Sequence, residues 1–127
     1  MTNFPEIRNQ LRSRDLFEDF KKQMLKDFQQ AQFATAFIDK LVPDYASIHH
    51  RIQLELQHTE TDSAAAWMPL LNRIDISESQ LKRYLNENND RPYADVVAEL
   101  IIKRLVQKVV IRHHYRNGPQ TSEERDQ

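Results

Sequence analysis

A single glycine, Gly118, occurs in the whole chain of 127 residues, and it lies near the carboxyl end. Glycine is the residue that takes positive φ and lets backbone approach a ligand closely, so its absence upstream excludes several built sites. Phosphate-cradling loops, dinucleotide fingerprints, nucleophile elbows and the sharp turn of a calcium loop all need it. Hairpins on two-residue turns need it as well. What remains open is a fold of amphipathic helices joined by turns that other residues can make.

The rest of the composition narrows the class further. There is no cysteine, which removes disulfides, thiolate metal sites and thiol catalysis, and fits a reducing compartment. The segment from Met1 to Leu11 has no basic stretch followed by an apolar core, so the reading carries no secretory leader and expects a soluble, cytoplasmic protein. No run approaches the ~20 apolar residues of a membrane span, so no membrane contact is expected. The net charge is −1, which gives no global attraction to nucleic acid and leaves only a local basic patch to provide one.

Apolar periodicity divides the chain into helices. Phe17, Phe20, Met24, Phe28, Ala31, Ala34, Ile38 and Val42 step by three or four, predicting one long helix or two collinear ones from Leu16 to Val42, ended by Pro43. A second helix carries Tyr45, Ile48, Ile52 and Leu56 and runs to about His58. After a polar linker, Thr59 to Ser63, comes a short helix from Ala64 to Arg73, anchored by Trp67, with Pro69 tolerated in a first turn or at a kink. Ser77 and Gln80 have capping-box spacing, flanked by Ile76 and Leu81 in staple positions, which marks a helix start there. Pro92 opens the last helix, which continues to Arg116 before Asn117, Gly118 and Pro119 stop it. The fold expected is all-α, a single-domain bundle of about five helices over residues 1–117 with a long carboxyl-terminal helix. Residues 118–127 are expected to be a disordered tail.

In the last helix the apolar face changes side. Tyr93, Val96, Val97, Leu100 and Ile101 share one face at 100° per residue, while Ile102, Leu105, Val106 and Val109 cluster on nearly the opposite one. Arg104, Lys108, Arg112 and Arg116 form a basic line along its second half. Three readings stand: a central helix buried nearly all round with the basic line as its solvated edge; two halves facing different layers, one of them a second subunit; or a strand over Val109–Tyr115, since Val109, Ile111, His113 and Tyr115 alternate. The functional expectation uses the second. It is a small non-enzymatic regulatory or adaptor protein, with Leu105, Val106, Val109 and Val110 burying against a protein partner or a second copy as a homodimer, and Arg104, Lys108 and Arg112 orienting an acidic partner.

Two stretches resemble known families. Ile76 to Leu85, continuing from Asp90 to Val97, resembles the second helix-turn-helix of AraC-type transcription regulators, with Ser77, Leu81, Arg83, Leu85 and Tyr93 at matching offsets and Asp90 where that family usually has glycine. The resemblance implies DNA binding, with Ser79, Gln80, Lys82 and Arg83 facing the major groove or its phosphates and Arg91 among the basic residues gathered beside them. Ile48 to Gln57 looks like the phosphoacceptor box of one class of histidine kinases, which implies phosphotransfer through His49 or His50; the paired asparagines of that box are replaced by Leu54 and Glu55. Glu55 and His58 have the E-x-x-H spacing of carboxylate-bridged metal sites, but a second copy is lacking. No catalytic group, metal or cofactor is assigned.

Overall fold

The computed structural model describes residues 4–58 and 64–117; the linker expected at 59–63 and the tail expected at 118–127 lie outside these. The described residues form six α-helices and no strand: α1 Phe4–Arg12, α2 Arg14–Gln30, α3 Tyr45–Gln57, α4 Met68–Arg73, α5 Glu78–Glu87 and α6 Tyr93–Asn117. Single 3-10 turns, Ile38–Lys40 and Ala64–Trp67, precede α3 and α4. The protein is an all-α bundle.

Helix α6 is the axle. Its apolar residues face every direction, and Val96, Val97, Ala98, Ile101, Ile102, Leu105, Val106 and Val109 are all buried. The first half lies against α3 and the second against α1 and α2, which is why the apolar stripe changes side: two layers of the same chain cover it in turn. The alternation at Val109–Tyr115 does not make a strand, because α6 is helical through Asn117. Its neighbours supply Ile7 and Leu11 from α1, Phe17, Phe20, Met24 and Phe28 from α2, and Ile48, Ile52 and Leu56 from α3, in one contiguous core.

Two boundaries differ from the periodicity. Helix α1 was not marked by it, since Ile7 and Leu11 are only one i,i+4 pair; Ser13 then interrupts the helix and caps α2, its hydroxyl 3.5 Å from the Leu16 N–H. The stripe predicted through to Val42 breaks at Gln30, because Gln32 turns left-handed at φ 66°. The Phe33 N–H then reaches back to the Phe28 carbonyl at 2.9 Å, the Gln32 N–H reaches Gln29 at 3.1 Å, and the Phe33 and Phe28 rings meet edge to face at 6.0 Å. Those bonds and that contact make a Schellman motif. Beyond it Phe37, Ile38 and Leu41 are buried while Val42 is exposed, so the apparent continuation of the stripe was coincidental spacing.

A second Schellman motif ends α4, with Asp75 at φ 67° and the Ile76 N–H on the Leu71 carbonyl at 2.9 Å. Both left-handed positions usually hold glycine, and a side chain there costs about 1 kcal/mol. Gln32 is exposed, so Gln32→Gly is expected to raise stability by about 0.5 kcal/mol, the relief of strain outweighing the freer unfolded chain. A urea midpoint below that of the wild type would show instead that the Gln32 side chain holds the turn.

The start of α5 has the predicted chemistry. The Gln80 N–H donates to the Ser77 hydroxyl at 3.1 Å, the Ser77 N–H donates to Gln80 Oε1 at 3.0 Å, and Ile76 and Leu81 are buried together as the staple. Trp67 is buried as the anchor before α4. Helix α5 otherwise buries little, and leans on α6 through Leu81, Tyr84 and Leu85.

Candidate functional site

The second half of α6 was expected to present an apolar contact face edged by cations. Leu105, Val106 and Val109 are instead between 0 and 3 % exposed and Val110 is half-buried, with α1 and α2 folded over them. The cations are spent within the chain. Arg104 Nε donates to the Ile74 carbonyl at 3.3 Å, Lys108 Nζ lies 3.7 Å from the buried Asp27 carboxylate and 3.6 Å from Asp75, and Arg112 donates to Gln23. His113 meets Asp19 at 2.5 Å. This line therefore fastens α6 to α2 and to the end of α4. The large apolar side chains left exposed on the second half of α6 are Ile111 and Tyr115.

A denser polar cluster sits where α3, α5 and α6 meet. Arg91, in the α5–α6 loop, makes a two-pronged contact with Asp95 at 2.8 and 3.1 Å and reaches Glu99 at 2.8 Å. Glu99 is only 5 % exposed, so its charge needs these partners. The Tyr84 hydroxyl donates to the other Glu99 oxygen at 2.5 Å and receives from Lys103 Nζ at 2.5 Å. Burial first, and the bond to Glu99 second, push the Tyr84 phenol well above its ordinary value, so it stays a proton donor. The hydrogen bond from Arg91 holds the Asp95 carboxyl below the usual range.

His49 joins from α3, its Nε2 lying 2.9 Å from the Asp95 carbonyl oxygen and 3.0 Å from its carboxylate. Both neighbours are acceptors, so Nε2 carries a proton. That nitrogen is committed to holding α3 against α6. His50 is exposed on the same helix, with no carboxylate hydrogen-bonded to it among the described residues. Glu55 and His58 edge a hollow near the end of α3, and among the described residues no three His, Asp or Glu side chains cluster as a metal would need.

Beside the cluster, α5 and α6 diverge to leave a cleft of about 60 Å³. Gln80, Arg83 and Tyr84 form one wall, Leu100, Lys103, Arg104 and Gln107 the other, and Ile76 closes the end. Each wall repeats at helical spacing. The volume suits roughly four waters, or one side chain, and is far below what a cofactor needs. Its apolar lining is Ile76 and Leu100, and three cations, Arg83, Lys103 and Arg104, line it beside them. Arg104 is aimed by the Ile74 carbonyl and by Gln107 Oε1 at 3.4 Å, whereas Arg83 is exposed and forms no ion pair with another described residue.

Of the residues assigned to DNA, Ser79, Gln80, Lys82 and Arg83 are exposed together on α5, while Arg91 is folded into the cluster on Asp95 and Glu99. Periodicity did not find Tyr84, Asp95, Glu99 or Lys103. The signal available was Glu99 itself, an acid inside the apolar run from Val96 to Ile102, with Lys103 one turn on and Asp95 one turn back.

The fold and the site define an all-α bundle whose α5–α6 corner is fixed by buried charge. No protein-family model, curated protein or solved structure matches the chain. Among the described residues no helix is long and apolar enough to cross a membrane.

Proposed function

We propose that this chain is a small non-enzymatic regulatory or adaptor protein that works by protein contact, and that the contact is made at the α5–α6 corner rather than on the second half of α6. The observation that carries the reading is the cleft: an apolar lining with cations beside it, next to a helix that leaves most of its surface to solvent. Interfaces concentrate their energy in such places, where an apolar anchor and an arginine act together. The buried face of α6 offers no comparable surface.

A photo-crosslinking amino acid placed at Gln80 or Gln107, with Lys22 on α2 as the distant control, tests this in the producing cell. Cross-links to a protein from both rim positions and not from the control are the expected result. Cross-links from the control alone, or none at all, would overturn it.

A second reading, a DNA-binding regulator, draws on one specific arrangement. Helices α4 and α5 are joined by the turn at 74–77, and Ser79, Gln80, Lys82 and Arg83 are exposed on the second of them, where a helix-turn-helix presents its reading residues. Glu78 and Glu87 on the same helix are exposed too, which opposes phosphate approach. In this case the rim positions cross-link to nucleic acid, and affinity for a DNA duplex falls steeply with salt.

A further inference from the structure

We infer that the α5–α6 cleft receives a carboxylate side chain flanked by apolar residues, presented by an acidic segment of a partner protein. This rests on the contact reading above and deepens it.

Charge decides the class of occupant. Arg83, Lys103 and Arg104 line the cleft, and Lys103 lies 3.7 Å from Glu99, whose carboxylate also has Arg91 at 2.8 Å and the Tyr84 hydroxyl. The lining is therefore cationic through Arg83 and Arg104, since Glu78 and Glu87, exposed on α5, do not line the cleft, and an approaching anion meets unspent donors on Arg83. Size decides the scale, since about 60 Å³ admits one side chain. The apolar lining decides against a bare phosphate: Ile76 and Leu100 offer a sugar–phosphate backbone nothing, but they bury the stem of one glutamate, leaving an adjacent leucine at the mouth.

The site is also built before anything enters it. Tyr84 is fixed between Glu99 and Lys103, Arg104 is oriented by the Ile74 carbonyl, and Arg91 ties the loop below to Asp95 and Glu99. Groups held in place lose little freedom on binding, so a small contact can still bind measurably.

The experiment is a two-dimensional amide NMR titration of the full chain. The probe is a short synthetic peptide with glutamate and leucine on one helical face, against the same peptide with glutamine for glutamate. Shifts confined to residues 76–84 and 100–107 are expected. Replacing the glutamates, or making Arg83→Glu, should weaken binding about tenfold, whereas Arg83→Lys should retain most of it. Equal binding of the glutamine peptide overturns the inference, as do shifts centred on Ile111 and Tyr115 or tighter binding of a DNA duplex to the same residues. If peptide shifts are absent while Gln80 and Gln107 still cross-link to a protein, the carboxylate specificity fails and the contact reading stands; if both are absent, both fail.

Discussion

Val106→Glu is expected to unfold the protein rather than to release a monomer from a dimer. Val106 is 3 % exposed and packs in a space lined by Leu11, Leu16 and Phe20 from α1 and α2. A carboxylate placed there loses its hydration, and the polar side chain lining that space is the uncharged amide of Gln10, while Lys108 and Arg112 of α6 are engaged with Asp27, Asp75 and Gln23. Burying such a group costs several kcal/mol, a large share of the 5–15 kcal/mol typical of a domain this size. The melting temperature should fall by on the order of 10 °C or the helical signal should be lost outright. Ile111→Glu, at a position 50 % exposed, should change stability by no more than about 0.5 kcal/mol. Sedimentation equilibrium beside circular dichroism separates the two accounts. A folded, monomeric Val106→Glu from a dimeric wild type would mean that the face is an interface after all.

That residue marks the limit of what periodicity can report. The change of apolar face along α6 was plain in the sequence, but spacing says only that two directions must be covered, not whether this chain or another covers them. The covering elements are α1 and α2, and α1 was illegible because a helix with two anchors looks like a polar terminus. Where a local rule has a named chemistry, sequence and structure agree: the Ser77–Gln80 capping box and its Ile76–Leu81 staple fall where expected. The Schellman turns were hidden for the opposite reason. Their left-handed residues are Gln32 and Asp75, and without glycine there is no local mark of the turn, so the stripe reads on past its end. The candidate site was half legible. Gln80 and Arg83 were singled out as residues that would face DNA, but their partners across the cleft lie on another helix more than four turns further along the chain, and no spacing rule relates a rim on one helix to a rim on another.

Arg91→Ala is expected to cost about 3 kcal/mol, near the lower end for breaking a buried pair because Arg91 and Asp95 keep 29 % and 25 % of their side-chain exposure. Glu99 is the larger loss, being left in the interior with only Tyr84 and a lysine 3.7 Å away. Adding Glu99→Gln to the variant should restore about half of the deficit, since an amide needs no counter-charge. The pH dependence gives a second signature. Arg91 depresses the folded-state value of Asp95, so the stability this contributes is present above the unfolded value of about 3.9 and is lost as pH falls through the lower folded value. With Arg91 removed that loss has nothing to act on, and the gap between wild type and variant should narrow from pH 7 to pH 3. Urea midpoints at the two values measure it; a gap unchanged with pH would mean that the Asp95 contact contributes nothing to stability. The same variant separates support from contact at the cleft. Arg91 does not line it, yet it holds the loop from which α5 and α6 diverge, so weaker peptide binding by a still-folded Arg91→Ala protein would come from lost preorganisation rather than from a lost contact.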